Sequence, residues 1–108
     1  MTQAIPDGFQ KVATLDQTPQ GQARIFRVGE RSIALCNLNG EIYAIDNSCS
    51  HDDGPLGDGV LCGREIECPR HGARFDVITG EATAMPAAVG VQTYPTRVVG
   101  QDILVRLD

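Results

Sequence analysis

The 108 residues contain only two histidines, so no mechanism that needs three imidazoles can operate here. Basic residues are also in short supply: nine Lys and Arg stand against fourteen Asp and Glu, a formal net charge of −5. Nucleic acid and anionic membranes both reward Lys and Arg, so neither is expected as the main partner. Aromatic side chains are restricted to Phe9, Phe26, Tyr43, Phe75 and Tyr94. A core this poor in rings must lean on Val, Ile and Leu, and a bound metal centre would help to hold it. No apolar run approaches the roughly 18 residues needed to span a bilayer. The first eight residues lack a basic start followed by an apolar run, so no secretory signal is visible. A cytoplasmic protein is expected, with no membrane partner.

What is present is ordinary for a globular domain: 42% hydrophobic and 21% charged residues. The length suits one domain over residues 1–108, with no internal repeat or linker. Short β-rich runs recur between turn signals. Arg24 to Val28 stops at Gly29-Glu30, and Ser32 to Leu38 runs into Asn39-Gly40, the strongest two-residue hairpin signal. The return strand Glu41 to Asp46 places Ile42, Ala44 and Asp46 on one face and Tyr43 and Ile45 on the other. Further runs cover Glu65 to Cys68, Ala73 to Val77, Val91 to Tyr94, Thr96 to Val99 and Asp102 to Leu107, with a turn at Thr79-Gly80. No window keeps a 3.6-residue period, so the fold is expected to be all-β, a sandwich or small barrel. Residues 47 to 59, 69 to 72 and 82 to 90 read as loops.

Both histidines fall in these loops, each close to a cysteine. The four cysteines, Cys36, Cys49, Cys62 and Cys68, could pair as disulfides in an exported domain, but a reducing cytosol favours metal ligation for some of them. Cys49-x-His51 and Cys68-x-x-His71 each offer one thiolate and one imidazole. Common zinc modules pair Cys with Cys and His with His, whereas the pairs here are mixed and the first spacing is short. A two-iron centre with chemically different irons asks for two thiolates on one iron and two imidazoles on the other. Two loops that each supply one ligand of each type meet that demand.

With its surroundings, this pattern resembles the Rieske [2Fe–2S] family. The matching residues are Cys49-Ser50-His51, Gly57-Asp58-Gly59, the stretch from Cys68 to Asp76 that includes Pro69-Arg70-His71-Gly72, then Thr79-Gly80 and Pro86. The resemblance implies one [2Fe–2S] cluster, with Cys49 and Cys68 on the buried iron and His51 and His71 on the outer one. It also implies a Rieske-like fold of three antiparallel sheets, the cluster held between two loops at one tip and the Pro86 loop covering it. High-potential relatives carry an extra cysteine in each loop and hydroxyls beside the cluster. Arg70, Ala73 and Phe75 stand at such positions in the second loop, and the first loop has no extra cysteine. A potential toward the lower end of the roughly −150 to +300 mV Rieske range is therefore expected.

Function follows from what is left over. Rieske oxygenases need a second iron held by two histidines and a carboxylate, and here both histidines are already used. The chain resembles the ferredoxin components of bacterial aromatic-ring dioxygenase systems: a one-electron carrier, not itself an enzyme. Its partners would be an NAD(P)H-dependent flavoprotein reductase and a terminal Rieske non-haem iron oxygenase. Two alternatives remain: a small subunit or ferredoxin linked to nitrite reductase or iron–sulfur assembly, and a redox-sensing interaction module. Cys36, Cys62 and Met85 are expected to serve packing. Gly54, Gly57, Gly59 and Gly72 would let backbone approach the cluster sulfurs and turn tightly. Asp52, Asp53 and Asp58 would form either an acidic collar for a basic partner or a solvated loop.

Overall fold

A computed structural model describes residues 8–47, 55–69, 72–85 and 89–107. Among these residues eleven strands run in chain order: β1 (Phe9–Thr14), β2 (Ala23–Val28), β3 (Arg31–Leu38), β4 (Glu41–Asp46), β5 (Val60–Cys62), β6 (Glu65–Glu67), β7 (Arg74–Asp76), β8 (Ala82–Ala84), β9 (Thr93–Tyr94), β10 (Thr96–Val99) and β11 (Asp102–Arg106). They form three antiparallel sheets: a base sheet β1-β11-β10, a central sheet β2-β3-β4-β9 and a tip sheet β5-β6-β7-β8. Two short 3-10 turns, Leu15–Gln17 and Leu56–Asp58, are the only helical elements among the described residues. The expected all-β fold of three antiparallel sheets is what the chain forms.

The central sheet is covered on both faces, which explains why β3 reads as an almost continuous apolar run. Alternate side chains point to opposite sides of a strand. Ile33 and Leu35 of β3, with Ile42 and Ala44 of β4, therefore enter a core facing the base sheet, where Ile103 and Val105 meet them. Ala34, Cys36 and Ile45 enter a second core facing the tip sheet, with Leu56, Ile66, Ala73, Phe75 and Val77. The β3–β4 hairpin closes at Asn39-Gly40, where both residues have positive φ (56° and 95°). That is the backbone a tight two-residue turn requires.

Three strands fall where none was expected. β1 pairs with β11 through a bulge between Lys11 and Ala13. β5, which holds Cys62, pairs with β6. The stretch from 82 to 90, expected to be loop, contains β8, which joins the edge of β7 with Ala82 opposite Phe75 and Ala84 opposite Arg74. Ala-Thr-Ala has weak strand propensity, and it is the pairing offered by β7 after the Gly80 turn that recruits it. The next stretch, with Pro86 and its expected covering role, lies outside the described residues.

Candidate metal centre

The tip sheet and the 3-10 turn before it define one end of the molecule. β6 ends at Glu67 and Cys68 follows directly, 1% exposed among Leu56, Ala73 and Phe75. The chain then reverses within a few residues. The Cys68 amide donates to the Ala73 carbonyl at 2.7 Å, and the Gly72 amide donates to the Cys68 carbonyl at 3.1 Å. Gly72 makes the reversal possible with φ of +77°, a conformation other residues rarely adopt. A buried thiol is thus presented from a tight backbone turn. Of the four ligand candidates, Cys68 is the one the structure describes; Cys49, His51 and His71 lie outside the described residues, as do Asp52, Asp53 and Arg70.

The limbs of the first loop are nevertheless fixed. The chain departs after Asn47 and returns at Leu56, whose amide donates to the Asn47 carbonyl at 2.5 Å. From there it forms the Leu56–Asp58 turn and enters β5, where Val60 pairs with Glu67. The returning limb of the first loop therefore lies beside the strand that delivers Cys68. The two loops with mixed Cys and His residues spring from neighbouring positions.

The surroundings suit a thiolate-bound cluster. Ala73 and Phe75 are fully buried beside Cys68 and carry no hydroxyl. Three ion pairs tie the outer tip sheet: Arg64 Nε sits 2.7 Å from Asp76, and Arg74 bridges Glu67 at 3.2 Å and Glu65 at 3.9 Å. Arg74 is thus balanced by carboxylates, so its positive charge opposes the protein's negative field only weakly. Partial burial pushes the Asp76 carboxyl up, but hydrogen bonds from Arg64 and from the Ile78 and Thr79 amides outweigh it and hold the group below the usual range. Among the described residues no three Cys, His, Asp or Glu side chains converge on a point.

The remaining expectations divide. Cys36 is fully buried in β3, and burial pushes its thiol up to about 12, so it is a packing residue and not a ligand. Cys62 is not packed: it is exposed, because β5 alternates and Leu61 takes the inward place. Met85 is also no core residue, at 76% exposed. Packing by itself requires Gly57 and Gly59 to be glycine. A Cβ on Gly57 would collide with Ile25, and one on Gly59 with the Glu67 carbonyl. Gly54 lies outside the described residues. Asp58 is exposed, as either reading of it requires. Asn47, which no pattern in the sequence marks, stands buried at the head of the first loop.

The described geometry is an all-β domain that sets a buried cysteine on a glycine turn, next to the neck of a Cys-x-His loop. The model of the Rieske [2Fe-2S] domain matches residues 8–95, and the chain belongs to that family. The ferredoxin component of the naphthalene 1,2-dioxygenase/salicylate 5-hydroxylase systems of Ralstonia sp is 42% identical over 96 residues, covering 89% of this chain and 92% of the relative. The ferredoxin of carbazole 1,9a-dioxygenase from Nocardioides aromaticivorans IC177 superposes with a TM-score of 0.89 at 39% identity, over 94% of this chain and 100% of that one. A ferredoxin chain in a complex of reduced oxygenase and oxidized ferredoxin in carbazole 1,9a-dioxygenase aligns with a TM-score of 0.84 at 30% identity, over 92% and 93% of the two chains. The protein is accordingly a Rieske ferredoxin with one [2Fe–2S] cluster, a carrier of electrons and not a catalyst of substrate turnover.

Proposed function

We propose that this ferredoxin passes single electrons from an NAD(P)H-dependent flavoprotein reductase to a terminal Rieske non-haem iron oxygenase, in the cytoplasm. Cys49 and Cys68 hold the inner iron and His51 and His71 the outer one, whose imidazole edges form the exit for the electron. The cluster supplies a one-electron couple; the chain supplies the ligands, a dry inner wall and a face for the partner. The observation that carries the reading is Cys68, buried on its turn beside the returning limb of the first loop. The naming of the Ralstonia relative as a dioxygenase-system ferredoxin supports the partner class. Asp52 and Asp53, next to His51 in the chain, and exposed Asp58 would suit a basic partner surface.

Ala73 and Phe75 support a low potential, since neither can donate a hydrogen bond that would favour the electron-rich reduced state. The deciding experiment is an anaerobic redox titration followed by EPR, on protein shown to contain iron and sulfide. A one-electron couple at negative potential, with a rhombic signal averaging below the free-electron g value, is expected. Loss of that signal in His71→Ala, and reduction by a flavoprotein reductase of an aromatic dioxygenase system, are expected with it. A sample that binds zinc, or no metal, overturns the electron-transfer reading. A normal Rieske couple that no such reductase reduces, but that copurifies with a sirohaem protein, turns the assignment to nitrite reduction.

A further inference from the structure

The first ligand loop is entered through a residue that holds both of its ends. Asn47, immediately after β4, is 8% exposed. Its amide donates to the Ser32 carbonyl at 3.0 Å, and its carbonyl accepts from the Leu56 amide at 2.5 Å. Its side-chain oxygen accepts from the Gly57 amide at 2.7 Å, while its side-chain nitrogen donates to Ser32 Oγ at 3.0 Å. A carboxamide shielded from water has to find such partners, and this one joins the strand on one side of the neck to the returning limb on the other.

The fit at the neck is close. A Cβ on Gly57 would lie 2.8 Å from Asn47 Oδ1 and 3.3 Å from Ala34 Cβ, besides colliding with Ile25. Only glycine lets the carboxamide reach that amide. Further along, Gly59 packs against the Glu67 carbonyl, and Val60 pairs with Glu67, one residue before Cys68. A continuous chain of contacts thus runs from Ser32 through Asn47, Gly57 and Glu67 to Cys68. The second loop has a different closure, with the backbone bonds of Cys68, Gly72 and Ala73 across its neck.

We propose that Asn47 is a positioning residue of the redox centre: its side chain locks the neck of the first loop and thereby sets how Cys49 and His51 stand relative to Cys68 and His71. The proposal rests on the ligand assignment given above. With the side chain removed, the neck keeps its backbone bonds but loses the cross-link to Ser32 and Gly57. The first-loop ligands then sample a spread of orientations, while strands, sheets and cores stay as they are.

Holoprotein of wild type, Asn47→Ala, Asn47→Asp and Ser32→Ala tests this by EPR of the reduced state and by the rate at which visible absorption is lost to a chelator. In Asn47→Ala we expect broadened g features and cluster loss on the order of tenfold faster, the lower end of what removing an outer-shell partner of a metal ligand does. Asn47→Asp keeps the acceptor for the Gly57 amide, and the Ser32 hydroxyl can turn to donate to it. It should return the linewidths toward wild type while its added charge lowers the midpoint potential. A purely structural role would lower the melting temperature and leave the g features untouched. Wild-type g values, linewidths and cluster-loss rate in Asn47→Ala overturn the proposal. If Asn47→Ala does not fold, Ser32→Ala decides: a smaller change in the same direction supports the lock, and wild-type behaviour refutes it. Failure of the ligand assignment would look different, as a wild-type sample without a Rieske signal or a Cys49→Ser variant that retains one.

Discussion

Two cores share the central sheet, and only one of them contains Cys68, so on the proposed ligand assignment equal damage to the two should have unequal effects on the metal. Phe75 is fully buried in the core between the central and tip sheets, together with Cys68 and Ala73. Ile103 is fully buried in the core between the central and base sheets. Truncation of a buried Phe to Ala costs about 3–5 kcal/mol and of a buried Ile to Ala about 2–5 kcal/mol, transfer and cavity terms together. Either loss is a large share of the roughly 5–15 kcal/mol that holds a domain together. Phe75→Ala weakens the tip sheet on which Cys68 sits, so local opening there becomes more frequent and the cluster is released through it. Ile103→Ala loosens the base sheet, whose core cluster contains neither Cys68 nor its neighbours Ala73 and Phe75. The assay measures urea unfolding of each variant and cluster loss to a chelator well below the unfolding transition. At matched destabilisation, Phe75→Ala should lose its cluster at least tenfold faster than Ile103→Ala, a difference of about 1.4 kcal/mol in opening free energy. Equal rates would refute the assignment of the two cores to separate duties.

Other expectations can be checked in the same preparations. Gly80 has φ of +81°, and a Cβ there would run into the Val91 carbonyl, so Gly80→Ala should cost at least the roughly 1–3 kcal/mol of a strained left-handed residue, seen as a lower melting temperature. Asp76 is held below the usual carboxylate range against partial burial, by Arg64 and two loop amides. Its unfolded form binds protons first as pH falls. Its contribution is therefore full above about pH 4 and lost as pH drops through the lower folded value. The stability gap between wild type and Asp76→Asn should be constant from pH 5 to 8 and close below pH 4. Thiol labelling of the native holoprotein should modify exposed Cys62 and spare Cys36, whose buried thiol stays protonated up to about pH 12. Rapid labelling of Cys36 in native protein would contradict its place in the core.

Much of this architecture was legible in the chain. The runs from Arg24 to Asp46 carry apolar residues at most inward places, and Asn39-Gly40 marks the turn between β3 and β4, so β2, β3 and β4 follow from local chemistry alone. The misreadings share a cause. β8 is built from Ala and Thr and exists because β7 offers an unpaired edge, which no local pattern announces. Cys62 sits next to apolar Leu61, but this three-residue edge strand turns only its middle side chain inward, and that one is only partly buried. Met85 looked like packing by its type, and its exposure depends on what surrounds it in space. The spacing of Cys49, His51, Cys68 and His71 was visible as a donor set. The role of Asn47 was not, because its partners Ser32 and Gly57 are 15 and 10 positions away.

The Asp46 amide donates to the Gln92 carbonyl at 2.9 Å, so the chain leaves the central sheet and re-enters it at adjoining points. Between them, β5 to β8 pair only with one another. The segment from 47 to 91 is therefore topologically an insertion, an excursion whose two ends meet on a two-stranded foundation made by β4 and β9. Insertions with adjoining ends are the kind that host frameworks tolerate. What receives the electron is thus separable in the chain from what supports it: an antiparallel sheet with the same end spacing, a serine in the place of Ser32 and an apolar face to replace Ala23, Ala34, Cys36 and Ile45 is a candidate scaffold for transplanting it.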